Sequence, residues 1–114
     1  MSRRFLLLLL ASIMIAVVPR VTAQAPAPQT TMPKPKVLIV WGGWPGHEPQ
    51  KVVDVFAPWL AEQGFEVEIS NTLDSYLDAE KMRGLTLVVQ SVTMGQITPQ
   101  QERGLLAAIR GGVG

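Results

Sequence analysis

Residues 36–41, Lys-Val-Leu-Ile-Val-Trp, constrain this chain more than any other segment. Five of the six are apolar, β-branched side chains recur among them, and Gly42-Gly43 stops the run. A strand that is apolar at consecutive positions has no wet face. It suits the middle of a parallel sheet covered by helices on both sides. Parallel neighbours cannot be joined by a hairpin; they need a crossover of a dozen residues or more. Helices should therefore separate the strands.

The rest of the chain supplies them. Pro49–Gln63 has helical spacing, with Val52, Phe56, Trp59 and Leu60 expected on one apolar face. Pro49 fits a first helical position and Gly64 a C-terminal cap. Pro58 removes one intrahelical donor and is expected to kink or split the helix. Phe65–Ser70 alternates apolar and charged residues, as a strand with one wet face near a sheet edge does. Asn71–Arg83 is a polar connection with a helical turn around Ala79–Met82. Leu85–Gln90 is a further apolar strand, and Ser91–Gln96 a loop. Thr98-Pro99-Gln100-Gln101 then opens a second helix: Thr98 caps it, Pro99 takes the first position and Gln101 completes a capping box. Leu105, Leu106 and Ile109 are its expected apolar face, and Gly111-Gly112 its end. The order strand, helix, strand, short connection, strand, helix predicts an α/β fold with a parallel, doubly wound sheet of about three strands and two helices. Val113-Gly114 stand where the next strand should begin, so the reading is of a truncated sheet, a fragment of something larger.

Two segments precede this domain. Arg3 and Arg4, an apolar run from Phe5 to Val18 and the small-residue site Val21-Thr22-Ala23 follow the order of a secretory signal peptide, residues 1–23. The run of 14 residues is short of the roughly 20 that a spanning helix needs. Membrane attachment is expected only if this signal is left uncleaved, and the destination is periplasmic or secreted. Residues 24–35 hold four prolines and read as an extended, solvated linker. The folded part is then residues 36–114. Arg3, Arg4 and Arg20 leave with the signal, and the remaining seven basic and nine acidic residues give a net −2. No basic patch is left to suggest nucleic acid. There is no cysteine, which removes disulfides, thiolate metal sites and thiol nucleophiles.

The loop Gly42-Gly43-Trp44-Pro45-Gly46-His47-Glu48-Pro49 and the segment Thr93-Met94-Gly95-Gln96-Ile97-Thr98-Pro99-Gln100-Gln101 carry a resemblance. In this order, about fifty residues apart, they resemble the N-terminal half of a ThuA-like, trehalose-utilisation domain, over Lys36 to Gly114. The resemblance implies a fold like that of class I glutamine amidotransferases, a flavodoxin-like three-layer sandwich, and substrates among trehalose and related or oxidised glycosides. Family members continue into another strand and a Gly-x-His-Gly-type turn, where amidotransferases carry their nucleophilic cysteine. This sequence ends before that turn.

Ligands of open α/β sheets bind beyond the carboxyl ends of the strands, and both loops are expected there. His47, the one histidine, can serve as general base, as hydrogen-bond donor to a sugar hydroxyl or as a metal ligand; its bland role is packing or helix capping. Glu48 can orient His47 or bind a hydroxyl, or simply favour a helix N-terminus. His47 and Glu48 are the candidate catalytic residues. Gly43, whose backbone a ligand could approach, Trp44, which can stack on a sugar ring, and the hydrogen-bonding Thr93 and Gln96 are the candidate substrate-binding residues. Trp41 and Trp59 read as core. A lone histidine with scattered carboxylates gives no metal site, and no cofactor or oligomeric state is indicated. The leading expectation is an exported domain that binds or processes a carbohydrate. The alternatives are a non-catalytic carbohydrate- or protein-binding module and a truncated fragment without function of its own.

Overall fold

The computed structural model describes residues 31–114. The expected signal segment and the first part of the proline-rich linker lie outside them. The described residues form β1 (Lys36–Gly43), α1 (Pro49–Glu62), β2 (Glu66–Ser70), α2 (Ala79–Arg83), β3 (Leu87–Thr93) and α3 (Pro99–Arg110), with 3-10 turns at Pro45–His47 and Leu73–Leu77. The three strands make one parallel sheet in the order β2-β1-β3. The wholly apolar strand is central and the alternating one lies at an edge, as their patterns require. Gly114 donates to the Thr86 carbonyl at 3.0 Å and accepts from the Val88 N–H at 2.8 Å. That is a parallel bridge to Leu87, on the edge of β3 away from β1.

Two apolar layers flank the sheet. Val37 and Ile39 face α1, where they meet Val53 and Leu60. Leu38 and Val40 face the opposite way, onto Tyr76, Met82, Leu85 and Ala108. All four β1 side chains are completely buried. At roughly 1.5–3 kcal/mol for each buried aliphatic side chain, β1 is the strongest single contributor to the core. The arrangement is a three-layer α/β sandwich with α1 on one side and α2 and α3 on the other.

Both long helices end alike. The Gly64 N–H donates to Ala61 and the Phe65 N–H to Leu60; the Gly112 N–H donates to Ile109 and the Val113 N–H to Ala108. Gly64 and Gly112 have positive φ, so each helix ends in a Schellman turn with glycine at the left-handed position. Phe65 and Val113 then enter the core.

The inward faces differ from those expected. In α1 it is Pro49, Val53 and Leu60 that are buried, whereas Phe56 and Trp59 are 43% and 52% exposed. Trp59 is therefore not core; it meets Phe56 edge-on across the outer surface of the helix. Trp41 is half-buried and packs beside Ile39. Pro58 does not split α1. It and Asp54, whose carbonyl loses its donor, both lie on the exposed side, where water replaces the bond. In α3 the inner positions are Leu105 and Ala108, while Leu106 and Ile109 are exposed. Gly104 fixes this rotation, because a Cβ there would run into the Tyr76 carbonyl. The helix turns its smallest residue toward the Leu73–Leu77 segment and carries Leu106 and Ile109 outward.

Tyr76 anchors that segment. It is completely buried, and its hydroxyl donates to Gln90 Oε1 at 2.6 Å. Burial pushes its pKa up to about 12, since a phenolate would lose its hydration there.

Candidate functional site

The strand ends fall two or three residues later than the sequence pattern indicates. β1 runs through Gly42-Gly43 and β3 through Thr93, with Gly43 paired to Thr93. The two strands thus reach the carboxyl edge of the sheet together. α1 covers one face there and α3 the other, so the crevice between β1 and β3 is the point where the chain switches sides.

Gly43 closes the floor of this crevice. A Cβ at Gly43 would overlap the Thr93 carbonyl and its φ is +89°, so only glycine lets the two backbones meet. The space expected for a ligand's approach is taken by Thr93. Immediately beyond, the Trp44 N–H donates to the Thr93 carbonyl at 2.9 Å, and Thr93 Oγ1 lies 3.4 Å from the Trp44 carbonyl, to which it donates.

The chain then makes one 3-10 turn over Pro45–His47, closed by bonds from the His47 N–H to Trp44 (3.2 Å) and from the Glu48 N–H to Pro45 (2.9 Å). This short turn brings side chains three positions apart together. The Trp44 and His47 rings meet edge-to-face, with centroids 4.7 Å apart at 80°. Both residues remain exposed, Trp44 at 50%. Glu48 sits at φ +51°, uncommon for a residue with a side chain, and makes no side-chain cap to α1. Its carboxylate reaches Lys51 Nζ at 2.6 Å. The structure thus joins Gly43, Trp44, His47 and Thr93. Glu48 is engaged with Lys51, and Gln96 is exposed in the loop before α3.

That second loop is bounded by a helix start of ordinary chemistry. Thr98 Oγ1 accepts from the Gln101 N–H at 3.2 Å, and Gln101 Oε1 accepts from the Thr98 N–H at 2.9 Å, the expected capping box. The Gln101 amide also donates to Asp74 Oδ1 at 2.8 Å, tying α3 to the Leu73–Leu77 turn. Met94, at φ +53° and 80% exposed, directly follows Thr93 at the end of β3.

Three residues near the site have placements that the sequence pattern does not specify. Asn71 follows β2 with its carbonyl beside Gly42, Met94 takes its unusual backbone, and Gly46 lies against the Trp44 ring. Only Gly46 left a signal, as the third glycine in five residues.

A hollow of about 420 Å³ lies elsewhere, at the amino ends of β1 and β2 between Lys36, Glu66, Glu68 and Lys81. Two ion pairs line it, Lys36 with Glu66 at 3.5 Å and Lys81 with Glu68 at 2.6 Å, and Asp78 and Glu80 stand on the same wall. The hydrogen bond to Glu68 holds the Lys81 ammonium above its usual pKa. It lies at the wrong end of the strands for a ligand site of this fold. Among the described residues, no three His, Asp or Glu side chains gather as metal ligands, and no helix is long and apolar enough to cross a membrane.

A family model described as ThuA, trehalose utilisation, matches residues 36–114. No curated protein and no solved structure matches the chain.

Proposed function

The chain belongs to the ThuA, trehalose-utilisation family, and from that premise we propose that it binds a saccharide at the carboxyl ends of β1 and β3. The observation that carries this reading is Trp44, a half-exposed indole held at the switch point of the sheet with the His47 ring against it. An aromatic face matches the C–H face of a sugar ring, and the imidazole beside it can donate to or accept from a hydroxyl. The Thr93 hydroxyl, at the end of β3, and the Gln96 side chain, in the loop after it, are further partners. His47 is also the group suited to proton transfer near neutral pH, should the bound sugar react. Glu48 contributes through the loop: its carboxylate is held by Lys51 and its backbone completes the turn under His47.

Titration of the full chain with trehalose, followed by tryptophan fluorescence, tests the proposal. A saturable change is expected, lost in Trp44→Ala and weakened in His47→Ala. Equal affinity in Trp44→Ala would remove the site from this loop; no saturable change in the parent would remove trehalose as its ligand.

A protein-binding role is the second reading. It is favoured by the exposed apolar surface of α1, where Val55, Phe56 and Trp59 face solvent. Trp59→Ser would abolish association in that case and leave sugar binding intact.

Export is also proposed, from the charged, apolar and small-residue order of residues 1–23. N-terminal sequencing of protein recovered outside the cytoplasm should begin at Gln24. Recovery of the chain with Met1 retained, in the cytoplasm alone, would refute it.

A further inference from the structure

We propose that Trp44 is a one-sided platform whose inner face is fixed by Gly46, so that the site takes a single pyranose ring on its outer face and cannot sandwich one. This rests on the saccharide-binding reading and adds Gly46 to it as a positioning residue. A Cβ built on Gly46 would lie 2.5 Å from Cη2 and 2.7 Å from Cε2 of Trp44, and nearest of all to Cζ2 between them. Three consecutive ring atoms at nearly equal distance place that point over the face of the benzo ring, not beyond its edge. The Gly46 backbone therefore covers one face of the indole. His47 meets the same residue at 80°, with one ring edge-on to the other, so the two rings do not lie flat together. Half of the Trp44 surface is in solvent, and on this proposal the exposed face is the one opposite Gly46.

Size is the reason for glycine here. The glycines with positive φ are Gly42, Gly43, Gly64 and Gly112, and Gly46 is not among them. Alanine can adopt the backbone of Gly46, so the strain on its methyl is steric, and the three atoms nearest to it all belong to the indole. With its main chain bound to Thr93 and to the turn, Trp44 can give way only by turning about its side-chain torsions, which takes the indole off the Gly46 backbone and off the His47 ring. Contact on the covered face thus sets the ring's orientation, which lowers the ordering that a ligand would otherwise impose. A ring offered to one open face must present axial C–H bonds on the side that stacks; a gluco-configured pyranose does so, its hydroxyls lying equatorial and free to reach His47 and Thr93.

A thermodynamic cycle tests the positioning role without any ligand. Gly46→Ala should lower the Tm of the parent by about 4 °C, the response of a small domain to a strain of this kind, and by less than about 1 °C in a Trp44→Ala background, where the obstacle is gone. Equal Tm losses in the two backgrounds would overturn the proposal, since the methyl would then be meeting something other than the indole. 19F NMR of 5-fluorotryptophan-labelled full chain supplies an independent reading. The Trp44 resonance, assigned by Trp44→Phe, should move in Gly46→Ala and become more sensitive to exchange of H2O for D2O, while those of Trp41 and Trp59 stay put. An unmoved Trp44 resonance also overturns it. In the same sample methyl α-glucoside should shift the Trp44 resonance, with affinity about fivefold lower in Gly46→Ala, the worth of one aromatic contact. A coupled cycle with no response to any pyranoside would leave Gly46 as the positioning residue and refute the saccharide reading, so the two failures are distinguishable.

Discussion

The two strand-to-helix junctions at the carboxyl edge of the sheet solve the same problem in opposite ways. From β3 into α3 the chain uses a full capping box, with both Thr98 and Gln101 satisfying the free N–H groups of the first turn. From β1 into α1 it uses none: the residue before the helix is Glu48, in a left-handed conformation, without a side-chain cap. The lost cap and the unusual backbone each cost about 1 kcal/mol. What the second junction gains is a turn tight enough to set His47 against Trp44. Breaches of local chemistry in an otherwise consistent sequence concentrate at functional sites, and here the breach and the exposed aromatic ring belong to one loop.

The largest effect that would break this contrast is Gly43→Ala. Its methyl collides with backbone at positive φ, so it should destabilise the domain by about 3 kcal/mol or more in urea unfolding. The corresponding glycine of the other junction, Gly95, faces only a methyl of Val92, at 2.9 Å, and Gly95→Ala should cost about 1 kcal/mol. Equal losses would show that the two strand ends are not held differently. Next is the tyrosine beneath the α3 side. Tyr76→Phe leaves the Gln90 carbonyl oxygen without its donor, at a cost of about 1–2 kcal/mol. The folded-state pKa of Tyr76 lies above the unfolded value of 10.0, at about 12. The folded protein thus binds the extra proton, and this stabilisation is complete below pH 10 and lost as pH rises toward 12. Alkaline unfolding should be less steep over that window in Tyr76→Phe. Thr98→Ala should lose about 1 kcal/mol as the capping box opens. The smallest effect is expected at the uncapped junction, where Glu48→Gly should change stability by less than about 0.5 kcal/mol, relief at positive φ offsetting the added freedom of the unfolded chain.

Much of the fold was legible because local chemistry and tertiary packing agree. The apolar run of β1, the alternation of β2, the Thr98 cap and the glycines after both helices each have one structure that suits them. The helix faces were not legible. In α3 the rotation is decided by the close approach of Tyr76 to Gly104, a contact between residues 28 apart that no periodicity encodes. In α1 Leu60 of the expected stripe is buried, but it shares the inner face with Pro49 and Val53 and not with Phe56 and Trp59. At the candidate site, the sequence named two loops that the fold brings to one edge of the sheet, and Trp44 and His47, whose rings meet there. It could not tell that Gly43 admits a neighbouring strand, that Glu48 turns to Lys51, or that Gly46 backs the indole, because each depends on a direction in space.

The hydrogen bond between Thr93 and Trp44 joins residues 49 positions apart. Every strand pairing in the sheet is similarly non-local, and topologies of this kind fold slowly, since chain closure precedes any reward. α1 and α3 can each begin to form from contacts within a few residues of themselves. The crevice cannot: until β1 and β3 align, Trp44 and Thr93 belong to unrelated stretches of polypeptide. A ligand that recognises this edge binds only chains that have completed the central pairing, and so stabilises the assembled sheet by mass action without touching the helices.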